Sequence, residues 1–184
     1  ARGESRILVL RQQALADGLI DLTLGRRIEM QRDKKLQWNY WSGRWEDIFA
    51  GLPVTTVERS QTTDLGPLTL TALSLRASAD TQLSVPGADG YHVVMGHVPN
   101  FARGFVEADL LIAGHTHGGQ VRLPLIGPVM TLSDVPRDWA SGVTTIKPGK
   151  TLIVSRGIGM ERGYAPRLRF LCRPQLVIVN LMPA

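Results

Sequence analysis

The stretch LLIAGHTHGGQ, residues 110–120, constrains the fold more than any other part of this 184-residue chain. Leu110–Ala113 is a short apolar run of the kind that forms a strand covered on both faces. It leads directly into Gly114, His115, Thr116, His117, Gly118 and Gly119. Glycines on both sides of the histidine pair let the backbone turn sharply at the strand end and aim each ring separately. On a regular strand, residues i and i+2 face the same way, so the two imidazoles can reach one locus. Neutral imidazoles gathered at a strand end suit a divalent transition metal.

All four histidines of the chain, His92, His97, His115 and His117, fall within this same quarter of the sequence. His97 closes a second β-rich run, His92–Met95, and Pro99 forces the chain out of the strand two residues later. Two strands therefore end in histidine, and strand ends are where sites form in open α/β sheets. His92 starts its strand, which places it at the opposite end in a surface or structural role. Further strands are expected at Arg6–Leu10, Val54–Val57, Leu68–Leu73, Leu152–Ser155, Leu168–Leu171 and Leu176–Leu181. A short helix is expected at Trp45–Ala50, ended by Gly51 and Pro53. The reading is α/β and strand-rich, with layered sheets. Residues 1–38 differ in character from the remainder, 39–184, and form an atypical amino-terminal segment.

The formal charge of +5 suits an anionic substrate, a nucleic acid or an acidic membrane surface. The arginines form no stripe by spacing and no nucleic-acid-binding motif accompanies them, so nucleic acid is not expected. The lone Cys172 excludes an intrachain disulfide and reads as a buried inert thiol. No apolar run approaches the ~18 residues of a membrane span, and no signal peptide is visible at Ala1. A cytoplasmic location, with peripheral contact at a membrane, is the expectation. Oligomeric state has no signature in the sequence.

GHVPN at 96–100 resembles the fourth motif of the calcineurin-like metallophosphoesterase family, and GHTHGGQ at 114–120 resembles its fifth. ADLLIAGHTHGGQVRLPLIGP, LIVSRGIG and PRLRFLCRPQLVIVNL extend the likeness to the tail of the bacterial branch that includes cell-wall and lipid A phosphodiesterases. It covers residues 39–182, the carboxy-terminal half of such a domain. The resemblance implies a layered β-sandwich with flanking helices and hydrolysis of a phosphodiester, pyrophosphate or phosphomonoester. The substrate would be a phosphorylated small molecule or a lipid-linked one. Two divalent transition metals (Mn, Fe or Zn) would polarise the phosphoryl oxygens and acidify an attacking water. By the same resemblance His97 and His115 share one metal, His117 holds its neighbour, and all three are catalytic. Asn39 falls where the family has its metal-binding asparagine; a second register puts Gln37 there instead. Arg156 follows a strand in SRGIG, where it either grips a phosphate oxygen or lies on the surface.

The sequence also departs from the family. Its first motif, D-x-H, and its second, G-D-x-x-D, are absent. The second supplies the carboxylate that bridges the metals. Two cations about 4 Å apart repel strongly unless an anion lies between them. Three histidines and one amide bring no negative charge, and Asp109 begins the strand that ends at His115, far from its metal end. The expectation is a phosphoesterase site of which this chain holds only part, poorly active by itself. The alternative is a non-catalytic relative with a single structural metal.

Overall fold

The structure, a computed structural model, describes residues 7–10, 54–57, 59–159 and 168–182, the first two stretches as backbone only. The expected helix at Trp45–Ala50, and Asn39 with Gln37, lie outside the described residues. Strands β1 (Ile7–Leu10) and β2 (Val54–Val57) pair in parallel as a two-stranded sheet. The later strands, in chain order, are β3 (Gln61–Asp64), β4 (Leu68–Ala72), β5 (Ser84–Val85), β6 (Tyr91–Met95), β7 (Phe105–Val106), β8 (Leu110–Ala113), β9 (Arg122–Leu123), β10 (Gly127–Pro128), β11 (Gly142–Lys147) and β12 (Lys150–Val154). A four-residue helix, α1 (Leu75–Ser78), follows β4, with Ser74 capping it by accepting the Ala77 N–H.

Six strands form the main sheet in the order β11-β12-β8-β6-β4-β3. The inner four run parallel: β12 pairs β8, β8 pairs β6 and β6 pairs β4. The two edge strands run antiparallel to their neighbours. The inner strands are rich in Val, Ile and Leu, as parallel strands covered on both faces should be. The outer strand β3 is Gln-Thr-Thr-Asp and exposed throughout, a polar edge that resists further pairing. Val94, Leu111, Leu152, Phe101 and Val106 form the centre of the core. Trp139 packs against it.

A parallel sheet delivers the carboxy-terminal ends of its strands to one edge. Met95 lies opposite Ile112, and Ala113 opposite Val154. His97, His115 and Arg156 each stand two residues beyond the end of a neighbouring strand. The ladder continues past the strands through Gly96 N–H to Ile112 O at 2.9 Å, Gly114 N–H to His97 O at 3.0 Å and Ser155 N–H to Ala113 O at 2.9 Å. Register thus places all three residues at one edge before any side-chain contact is considered.

Two expected strands are corrected. Residues 168–182 contain no named strand; only Phe170 bridges, to Val121. In Leu176–Leu181 the strand-like alternation survives as exposure, with Leu176 at 81% and Ile178 at 78%. A strand needs a neighbour's amides and carbonyls, and no other described segment offers them beside this run. Strands β3 and β11 went unrecognised because neither carries an apolar run. The turn Lys147–Lys150 folds β11 back on β12. The mixed α/β arrangement, with one multi-strand sheet and few helices among the described residues, is compatible with the fold the resemblance implies.

Candidate functional site

His97 and His115 touch. His115 Nδ1 lies 3.1 Å from His97 Nε2, with the rings edge to face at a centroid separation of 4.9 Å. His115 Nε2 lies 2.9 Å from the Leu132 carbonyl oxygen. A carbonyl only accepts, so Nε2 of His115 carries the proton. The Nδ1 lone pair of neutral His115 then faces His97, whose Nε2–H donates to it. Burial first, then the neighbouring His115 and His117, lower the pKa of His97 to about 4. His97 is therefore neutral at neutral pH, the state that a metal ligand requires.

The turn holding this geometry is strained. His115 (φ 67°), His117 (φ 47°) and Gln120 (φ 49°) all adopt left-handed backbone, as do Gly118 and Gly119. Each non-glycine residue in that region costs about 1 kcal/mol or more. Side chains around the turn compensate. Thr116 Oγ1 donates to Ala140 O at 2.6 Å and accepts the Gly118 N–H at 3.2 Å. Arg169 donates to His117 O at 3.2 Å and to the carbonyls of Arg156 and Gly157, tying the turn to the loop after β12. The Cys172 thiol, buried as expected, also donates to His117 O. Gly118 admits no side chain: a Cβ there would lie 2.5 Å from Arg156 Cγ and 2.8 Å from Cys172 Sγ.

His117 is buried, and its Nδ1 lies 3.5 Å from the Arg169 guanidinium. Among the described residues no three His, Cys, Asp or Glu side chains gather closely enough to hold an ion. His97 and His115 thus bring two ring nitrogens, and no carboxylate, to one point. Arg156 donates from Nε to Gln175 Oε1 at 3.3 Å. Thr116 lies within the GHTHGGQ string but its bond to Ala140 was not legible there, and the roles of Arg169 and Gln175 at this turn carried no signal in the sequence. Arg169 sits in an apolar run, and its partners are backbone carbonyls that no residue type reveals.

His92 belongs to the other edge of the sheet. Its Nδ1–H donates to Glu107 O at 2.9 Å, and its Nε2 accepts from Thr71 Oγ1 at 2.8 Å. Its backbone N–H donates to Asp109 Oδ2 at 2.7 Å, so Asp109 is also remote from the histidine pair. His92→Ala is expected to cost about 1–3 kcal/mol, because it removes a buried ring with its bonds to Thr71 and to the Glu107 carbonyl. Metal affinity should not change. Thermal denaturation under chelator, set beside a Zn²⁺ titration, checks both halves.

A half-buried pair of histidines in contact thus stands at the carboxy-terminal edge of an open α/β sheet. Among curated proteins the chain is similar to an uncharacterised metallophosphoesterase, YkuE, of Bacillus subtilis (strain 168), at 35% identity over 94 residues, 50% of this chain and 31% of the relative. It is similar to an uncharacterised metallophosphoesterase of Aquifex aeolicus (strain VF5), at 34% over 92 residues, 50% of this chain and 33% of the relative. It is also similar to the phosphodiesterase YaeI of Escherichia coli (strain K12), at 35% over 75 residues, 40% of this chain and 25% of the relative. These matches support the calcineurin-like metallophosphoesterase family for this chain. The chain spans a quarter to a third of the length of these relatives. No family model and no solved structure matches it.

Proposed function

We propose that the chain contributes part of the site of a metal-dependent phosphoester hydrolase acting on a phosphodiester or pyrophosphate. The contact of His97 Nε2 with His115 Nδ1 at 3.1 Å carries the reading. Two nitrogens bonded to one ion at ~2.1 Å stand about 3.0 Å apart at a right angle and about 3.4 Å apart at the tetrahedral angle. The observed separation falls between these values, so the two nitrogens are spaced to share one ion once the rings turn toward it. The Leu132 carbonyl on the far nitrogen of His115 is the kind of partner that orients a ligating histidine. Imidazole donors favour Mn, Fe or Zn over Ca.

When bound, such an ion supplies Lewis acidity to a phosphoryl oxygen and acidifies water. The residues of the chain hold and orient. In the same reading His97 and His115 would hold one ion, His117 would hold a second, and Asn39 would be a further ligand. Arg156, held through its Nε by Gln175, would be the residue that grips a phosphate oxygen in the same reading. The exposed Leu176 and Ile178 support a second sheet layer over residues 168–182 in the same reading. A lipid-linked substrate, and with it peripheral contact at a membrane, extends the reading. Among the described residues no helix is long and apolar enough to cross a membrane.

The test is hydrolysis of an aryl phosphodiester with added Mn²⁺. This chain is compared with the same sequence joined to the D-x-H and G-D-x-x-D half of a relative. The joined protein should turn over and the chain alone should be slow, for want of a bridging carboxylate. Rapid turnover by the chain alone would overturn the partial site; none by either protein would overturn the hydrolase reading.

A further inference from the structure

We infer that Asn100 is a positioning residue of the histidine site, acting on His115 through the loop that carries Leu132. The inference rests on the metal-site reading above. Asn100 lies in a 3-10 turn, Pro99–Arg103, that begins two residues after His97. It is buried, and both atoms of its amide are engaged. Nδ2 donates to Asp134 Oδ2 at 2.7 Å and to Ala79 O at 3.2 Å. Oδ1 accepts from Ser133 Oγ at 2.7 Å and from the Asp134 N–H at 2.9 Å. The backbone N–H of Asp134 fixes which end of the amide is oxygen. Arg103, at the end of the same turn, donates to Asp134 O at 2.8 Å.

Three of the four bonds from Asn100 thus converge on Ser133 and Asp134, the two residues after Leu132. Leu132 has left-handed backbone, φ 51°, and is 41% exposed, so its own packing alone does not fix it. Its carbonyl nevertheless points at His115 Nε2. The clasp from Asn100 keeps it there. The consequence is chemical: a carbonyl at that nitrogen selects the Nε2–H tautomer and leaves the Nδ1 lone pair facing His97. The turn that follows one site histidine thereby sets the donor atom of the other.

The test exchanges the charged and neutral partners. Asn100→Asp keeps the acceptor for Ser133 and Asp134 N–H but sets a carboxylate against Asp134. Asp134→Asn in the same chain restores a donor–acceptor pair with its direction reversed. Side-chain ¹⁵N shifts of His115 report the tautomer in metal-free protein, and calorimetric titration with Zn²⁺ reports the site. Asn100→Asp should populate the Nδ1–H tautomer and weaken Zn²⁺ binding about 10–100-fold. The double variant should return both readouts to within about threefold of the parent. A folded Asn100→Asp with unchanged tautomer and affinity overturns the inference, as does a folded double variant that stays impaired. If the single variant does not fold, the double variant alone decides. A parent chain that ignores Zn²⁺ while its His115 tautomer still follows Asn100 would defeat the metal reading and leave the clasp standing.

Discussion

His115→Ala is expected to weaken Zn²⁺ or Mn²⁺ binding by more than about 100-fold while changing the stability of the metal-free chain by only ~1 kcal/mol. The asymmetry follows from the geometry. The ring supplies one of the two nitrogens that meet at 3.1 Å, and without it His97 is a lone imidazole at a strand end. Stability loses the bonds to His97 and Leu132 but little core, since the ring covers the strand end rather than the interior. His115→Gly sharpens the test. It removes the same nitrogen, and at φ 67° glycine also relieves a left-handed strain of about 1 kcal/mol. The glycine variant should thus bind metal as poorly as the alanine variant and unfold at a higher temperature than it. Calorimetric metal titration and thermal denaturation under chelator measure the two effects separately. Parent-like affinity in both variants would remove His115 from the site.

The parts of this site that were legible in the sequence share a cause. Gly-His after a β-rich run states both a strand end and a donor. Parallel pairing then brings His97 and His115 to the same edge without any knowledge of side-chain packing. His92 was separable from them by strand direction alone, and its ring is indeed engaged at the far edge. The illegible parts act through the backbone. Leu132 contributes a carbonyl, which any residue has. Asn100 matters for where Ser133 and Asp134 come to lie, more than thirty positions later. Arg169 binds carbonyls, so its role follows from the turn it stitches rather than from its neighbours in sequence. The same limit explains the final segment: alternation in Leu176–Leu181 states a preference for extended chain but cannot supply the neighbour that makes a strand.

Phe101→Ala should be the costliest single truncation near the site, at about 3–5 kcal/mol, a large share of the stability of an ordinary domain. Phe101 is fully buried in the 3-10 turn after His97 and belongs to the central core. Its ring also lies against Gly96, the residue that carries the chain from β6 to His97. A Cβ on Gly96 would stand 2.7 Å from Phe101 Cε1 and 2.8 Å from Ser78 Cβ. Gly96→Ala alone should therefore overpack the core, costing about 1–3 kcal/mol and displacing His97 from His115. The two sites touch, so their effects should not add. In a Phe101→Leu background the ring edge is gone, and Gly96→Ala should cost measurably less, with a coupling of about 0.5–3 kcal/mol in a denaturant-based double-mutant cycle. The contact with Ser78 Cβ remains in that background, so the relief should be partial; adding Ser78→Gly should complete it. Metal titration of the same variants reads the functional side, because affinity should fall with Gly96→Ala and recover as the ring and the Ser78 side chain are withdrawn. Strict additivity of the two substitutions would mean that Gly96 is required for the chain's path at the strand end and not for its contact with the ring.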